Sequence, residues 1–194
     1  MATEHSTITD PQIHEPKGIS AATADTVYRA TGAGTGEYKL GAGSAYGELE
    51  IIGNSTAFAL NGTQDVYTKL NPTSAWADNT SKVLTLSAVN GEITLTKAGT
   101  YMVSFWASFD TASLAAGTQF KFKYALDGVT NGRVLSVQKH TTGVDRMAVS
   151  ASGIISGVTA SQVLSIHAAG DATSAGTNIT VVDAGLVAVL LYEG

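Results

Sequence analysis

The sequence predicts an all-β protein, an antiparallel sandwich or barrel preceded by an extended arm. Three observations predict it. From residue 48 onward, short apolar runs alternate with polar residues at period two, the spacing of a half-buried strand. Between the runs stand Asn-Gly, Asn-Pro and clusters of Gly, Ser and Asp, the residues that turns require. No stretch of helical length places apolar residues on one helical face.

Composition narrows the function classes. Charged residues make up only 14% of the 194 residues, and 11 basic against 16 acidic side chains leave a net charge of −5. No basic stripe is present, so a nucleic-acid groove is disfavoured on electrostatic grounds, and no nucleic-acid partner is expected. A surface built from Thr, Ser, Asn, Gln, Gly and Ala suits polar subunit contacts better than an isolated monomer. With no cysteine, disulfides and thiolate metal sites are excluded. The opening MATEHSTITD has no basic stretch followed by an apolar one, so export by an ordinary signal peptide is not expected. The longest apolar run, Leu186–Tyr192, is too short to cross a bilayer, and no membrane insertion is expected.

Residues 1–47 read as a Gly-rich arm and residues 48–194 as the folded body. Pro11 and Pro16 push their predecessors toward extended geometry and disfavour helix from Asp10 to Lys17. Thr26-Val27-Tyr28 reads as a short extended piece. Gly32, Gly34, Gly36, Gly41, Gly43 and Gly47 follow, and ordering such a stretch costs about 1–2 kcal/mol per residue. The arm is therefore expected to stay mobile unless a partner holds it, with Val27, Tyr28, Tyr38, Leu40 and Tyr46 as spaced anchors.

Within the body, Leu49–Ile52 starts the first strand and Phe58–Leu60 ends at Asn61-Gly62. Gln64–Leu70 closes at Asn71-Pro72, and Val83–Leu86 leads through Asn90-Gly91 into Ile93–Thr96. Tyr101–Phe109 is the longest run; Tyr101, Val103, Phe105, Ala107 and Phe109 form one apolar face, with Ser104 and Ser108 opposite. Phe120–Leu126 alternates most cleanly, predicting Phe120, Phe122, Tyr124 and Leu126 in the core and Lys121 and Lys123 in water. Arg133–Gln138, Asp145–Ala151, Gln162–Ala168, Asn178–Val182 and Leu186–Tyr192 complete about ten strands. The last run lacks alternation, which predicts a central strand covered on both sides, as where subunits pack.

Two resemblances sharpen this reading. Ile93–Ser104 with Phe105–Phe109, the strand Ala160–Ile166 and the closing run Ala184–Tyr192 resemble, in order and spacing, the C1q/TNF-like jelly-roll family. That resemblance spans roughly residues 50–194. It implies a compact homotrimer with Leu186, Val187, Val189 and Leu191 of the closing strand near the threefold axis. Asp10-Pro11, His14–Gly18, Val27-Tyr28 and the glycines to Gly36 resemble the N-terminal region of tailed-bacteriophage head-decoration and head-fibre proteins. Tyr38 stands slightly later than the aromatic that follows the glycines in such proteins. This second resemblance implies attachment to the phage major capsid protein on the outer surface of the virion, after synthesis in the host cytoplasm. Pro11, Ile13, His14, Glu15, Pro16, Lys17, Val27, Tyr28 and Tyr38 would be the gripping residues. The alternative it leaves open is a tail-fibre or spike module that binds a host-surface receptor or glycan.

Candidate chemical sites are sparse. Adjacent His14 and Glu15 in an extended segment point to opposite sides and chelate poorly, so a rigid docking element is the better reading. Gly32, Gly34 and Gly36 match neither nucleotide-loop pattern, and no βαβ unit follows. His140, His167, Asp110, Asp127, Asp145, Asp171 and Asp183 are scattered over turns and strand ends. His167 shares parity with Ser165 and reads as interface-facing. Threefold symmetry can still assemble a metal or anion site from one residue per subunit. Trp76, in the loop that begins at Asn71-Pro72, either stacks on a sugar or covers a core edge. Neither a catalytic residue nor a cofactor is expected, and the chain does not read as an enzyme.

Overall fold

The computed structural model describes residues 26–32, 35–72 and 75–194. Two compact units divide the chain, Met1–Gly41 and Ala42–Gly194. In the first, β1 (Thr26–Gly32) and β2 (Thr35–Leu40) form an antiparallel hairpin that pairs Val27 with Lys39 and Tyr28 with Tyr38. The glycine-rich stretch thus contains a strand although no apolar alternation marks one there.

The second unit begins its strands at Tyr46, inside the stretch read as arm. In chain order these are β3 (Tyr46–Ile51), β4 (Phe58–Ala59), β5 (Thr68–Lys69), β6 (Trp76–Lys82), β7 (Thr85–Ser87), β8 (Glu92–Leu95), β9 (Gly99–Thr111), β10 (Gln119–Leu126), β11 (Val129–Gln138), β12 (Arg146–Val158), β13 (Gln162–Gly170) and β14 (Asn178–Glu193). They form two antiparallel sheets. One runs β12-β9-β14-β3-β6 with β4 beside β14, and the other β11-β10-β13-β8-β7 with β5 beside β13. Along the chain, β6 to β7, β8 to β9, β9 to β10, β11 to β12, β12 to β13 and β13 to β14 all change sheet. Only β7–β8 and β10–β11 are hairpins within one sheet. Repeated crossing between two facing sheets is the jelly-roll arrangement.

Alternation explains the core. Tyr101, Val103, Phe105, Ala107 and Phe109 of β9 are buried, and Phe109 packs edge-on to Phe120 at 5.5 Å and tilted to Phe122 at 5.2 Å. Leu49 and Ile51, Ile93 and Leu95, Leu164 and Ile166, and Ala184, Leu186, Ala188 and Leu190 complete it. The Tyr101 hydroxyl donates to the Lys97 carbonyl at 2.8 Å, and burial pushes its pKa up to about 12.

The Asp127-Gly128 turn joins β10 to β11 with both residues at positive φ, 50° and 76°, as a two-residue primed turn demands. Gly91 sits at φ 63°, and a Cβ there would stand 2.6 Å from the Trp76 indole nitrogen, so backbone and packing both require glycine.

Several expectations are corrected. Asn178–Val182 and Leu186–Tyr192 are one continuous strand, β14, carried over two register shifts. The polar run Trp76–Lys82 is an edge strand, β6, with only Trp76 buried. Lys121 and Lys123 are not simply in water: Asp65 pairs with Lys121, and the Lys123 ammonium lies 4.8 Å from the centre of the Tyr67 ring. The Leu186–Leu191 run alternates in burial after all, with Leu186, Ala188 and Leu190 inside and Val187, Val189 and Leu191 only half covered.

Candidate functional site

The isolated acids of the body are occupied by structural work. Asp110 receives two hydrogen bonds from Arg146, at 2.8 and 2.9 Å, and this guanidinium holds its carboxyl below the usual carboxylate range. Asp127 accepts from the Val163 backbone N–H and the Gln162 side chain, tying the β10–β11 turn to the start of β13. Asp183 Oδ1 accepts from the Gly53 N–H at 3.0 Å.

Asp171 is partly buried, which raises its pKa. Hydrogen bonds from the Thr173 hydroxyl and N–H and from the Ser174 hydroxyl and N–H outweigh that burial and leave it lowered. Asp145 accepts from the Thr141 hydroxyl at 3.0 Å and faces the fully buried Lys139 ammonium at 3.7 Å. His140 is exposed.

His167 is not interface-facing. It is buried within its own chain, with Nε2 3.2 Å from the Ser165 hydroxyl. Burial, assisted by the nearby Lys69 ammonium, pushes its pKa down. Ser165 is itself buried, so the pair has no route to a substrate. Among the described residues no three His, Asp or Glu side chains converge as a metal site would require.

Trp76 opens β6 rather than standing on a loop. It is 5% exposed, and its indole N–H donates to the Leu70 carbonyl at 2.9 Å. No free ring face is left for a sugar. Pro11, Ile13, His14, Glu15, Pro16 and Lys17 lie outside the described residues, whereas Val27, Tyr28 and Tyr38 fall in the β1–β2 hairpin.

The feature that stands apart is the outer face of the sheet centred on β9 and β14. Residues directly opposite on neighbouring antiparallel strands share a face, so the pairing register arranges it in rows. One row runs Ile154, Met102, Val189, Tyr46. The next runs Ser152, Ser104, Val187, Glu48, with the two serine hydroxyls 2.7 Å apart. A third runs Ser150, Trp106, Gly185, Glu50. Farther along, Ala148, Ser108 and Asp183 lead to Arg146 and Asp110.

Polarity therefore grades from an apolar end to a charged end within one sheet face. At the apolar end Ile154 is 68% exposed, Met102 40% and Trp106 42%. A shallow depression of about 230 Å³ lies beside Trp106, bordered by Ser108, Ala148 and Ser150. Along the β3 side, Asn79 donates to both Glu48 and Glu50.

Of the four closing-strand residues assigned to an interface, Val187 and Val189 stand on this outer face. Leu186 faces its own core opposite Phe105, and Leu191 falls at the register shift after Leu190. Sequence reasoning passed over Met102, Trp106 and Ile154. The signal was present in β9, where a Trp and a Met share parity with Ser104 and Ser108 on a strand whose core face was already filled.

No protein-family model and no curated protein matches the chain. Its structure is similar to the globular domain of zebrafish complement 1qA protein, at 15% identity and a TM-score of 0.45 over 76% of this chain and 99% of that one. It is also similar to the Eiger TNF of S. frugiperda, at 10% identity and a TM-score of 0.48 over 77% of this chain and 95% of that one. At such identities the likeness is one of fold.

Proposed function

We propose that this protein is a non-catalytic structural component of a phage particle. In this reading the jelly-roll body forms a homotrimer through the outer face of the β9–β14 sheet. Residues 1–47 bind the major capsid protein, so the trimer decorates or cements the head from outside.

The observation that carries the reading is the apolar row of exposed Ile154 and Met102 and half-buried Val189, with exposed Trp106 beside it. A monomer that left large apolar side chains contiguous on one sheet face would lose the stabilisation of burying them, about 25 cal/mol per Å². A second support is where charge sits on this face: Arg146 and Asp110 stand at its far end, and Glu48 and Glu50 are confined to the β3 side. Three linked arms would raise effective concentration at the capsid and slow release without any single strong contact. The receptor- or glycan-binding alternative has lost Trp76 as its contact.

Native mass measurement tests the assembly, with three times the chain mass expected. Trp106→Arg should give a folded monomer, because it introduces a charge where desolvation is required. Deleting residues 1–41, which stops short of the body's first strand, should leave the trimer intact and abolish capsid attachment. A wild-type monomer, or a truncated body that still decorates capsids at full affinity, overturns the reading.

A further inference from the structure

The sheet that contains β13 carries a buried imidazole on its outer side. Leu164, Ile166 and Ala168 of β13 point into the sandwich core, so by strand parity Ser165, His167 and Ala169 stand on the opposite face. A residue on the outer face of a sheet is buried only where something crosses above it. His167 is 7% exposed, and the Tyr67 backbone, just ahead of β5, stands against its ring.

Thr63–Lys69 runs as a strap along the β13 edge. The Asp65 N–H donates to the Gly170 carbonyl at 2.9 Å, and Thr68 and Lys69 pair with Ala168 and His167. Both ends of the strap are pinned. Before it, the Asn61 carbonyl accepts from the Gly176 N–H at 2.8 Å. After it, fully buried Leu70 donates to the Ile166 carbonyl and accepts from the Trp76 indole. Between these pins Thr63–Val66 are exposed, so little apolar burial holds the segment down. Such segments open locally before the rest of a fold does.

Cations flank the ring. Lys123 of β10 and Lys69 of β5 are its cross-strand partners on either side. Lys123 Nζ lies 4.8 Å from the centre of the Tyr67 ring, and Lys69 Nζ is 2.8 Å from the Glu92 carboxylate of β8. One step along the face, Lys121 is paired with Asp65, and Asp171 closes its own turn. Burial and Lys69 oppose a proton on His167, whereas the Tyr67 backbone and Glu92 favour one; the opposing pair prevails.

We propose that Thr63–Lys69 is an acid-released strap, which leaves the β13 edge when His167 takes up a proton. A charged ring between two lysines gains hydration only if something above it moves. The half-exposed strap moves more readily than the packed core beneath. Release uncovers β13 from His167 to Gly170, an edge with no charge besides the new imidazolium. This sheet lies opposite the β9–β14 sheet, and the inference does not depend on the trimer.

Amide hydrogen exchange followed by NMR tests it on the full-length protein, from about pH 8 to about pH 5 and corrected for the intrinsic rate at each pH. The Asp65 amide should lose its protection as pH falls. Asp127, bonded to Val163 on the same strand, and Leu190, in the other sheet, should keep theirs. His167→Gln should hold Asp65 protected to the acid end. Two charge variants should move the midpoint in opposite directions. Glu92→Gln removes the acid that favours the imidazolium and lowers the midpoint; Lys69→Met removes the opposing cation and raises it. This pair decides the matter if His167→Gln does not fold. Four results overturn the proposal: Asp65 still protected at the acid end in wild type; an unchanged transition in folded His167→Gln; both charge variants shifting the midpoint the same way; or Asp127 and Leu190 losing protection in step with Asp65, which marks global acid unfolding.

Discussion

The indole of Trp106 lies directly on Gly185, its partner across the β9–β14 pair. A Cβ at residue 185 would collide with the ring, its Cε2 standing 2.7 Å away. Because Trp106 is half exposed, the ring can swing aside, so Gly185→Val should change stability by no more than about 1 kcal/mol. It should nevertheless alter the near-ultraviolet circular dichroism of Trp106 and shift sedimentation toward the monomer. Unchanged assembly with a displaced indole would remove Trp106 from the interface.

Val83 adopts a φ of 71°, a conformation that penalises a β-branched side chain. It is 42% exposed, so little packing is lost on replacement. Val83→Asn should raise the unfolding free energy by about 1 kcal/mol in urea denaturation, since Asn tolerates this region. Destabilisation would mean that the valine methyls pack better than their exposure indicates.

The Lys139 side chain is fully buried, and its ammonium makes no hydrogen bond; the Asp145 carboxylate, at 3.7 Å, is its ion-pair partner. Replacing a poorly satisfied buried cation by an apolar residue of similar length is often neutral or stabilising by about 1–4 kcal/mol. Lys139→Met should therefore not destabilise the protein. Asp145→Ala should, because it strands the charge, though by less than the 3–5 kcal/mol or so typical of a fully buried pair, since Asp145 is one-third exposed. Chemical denaturation of both variants checks the asymmetry.

Folding holds His167 below the ordinary imidazole pKa. Between that lowered value and about 6.5 the unfolded chain binds a proton that the folded chain refuses. Stability contributed by neutral His167 is thus present above about 6.5 and is lost as pH falls toward the folded pKa. Titrating the unfolding free energy from pH 8 to pH 5 should show this decline, and His167→Gln should flatten it. An unflattened profile in the variant would assign the decline to other groups.

Where side chains alternate, the fold was legible in the chain. β9 and β10 announce their buried faces through Tyr101, Val103, Phe105, Phe120 and Phe122. Where a strand is polar on both faces, as in β6 after Trp76, there is no period to detect, and only pairing with β3 creates it. The opposite failure affects β14. Leu186–Leu191 is apolar at both parities, so pattern alone cannot separate the face that fills its own core from the face left half exposed. The outer-face site was missed for a related reason: its members sit on four strands, and only the register brings Ile154, Met102, Val189 and Tyr46 into one row. Trp76 covers a core edge, one of the two readings open to it, but Asn71-Pro72 signals a turn and so hides that it opens a strand; Gly91 makes room for its ring.

The place of β14 has a consequence for how the molecule is made. It lies between β9 and β3, pairing Val187 with Ser104 on one side and Glu48 on the other, yet it follows both in the chain. On a ribosome, β3 and β9 emerge well before the strand that separates them, each with an open edge. Such long-range pairing is slow, and open edges are where chains stick to one another. The pairing of β14 with β9 and β3 therefore completes only once the last strand has been made. Translation that stalls before Asn178 would leave both of those edges without this partner.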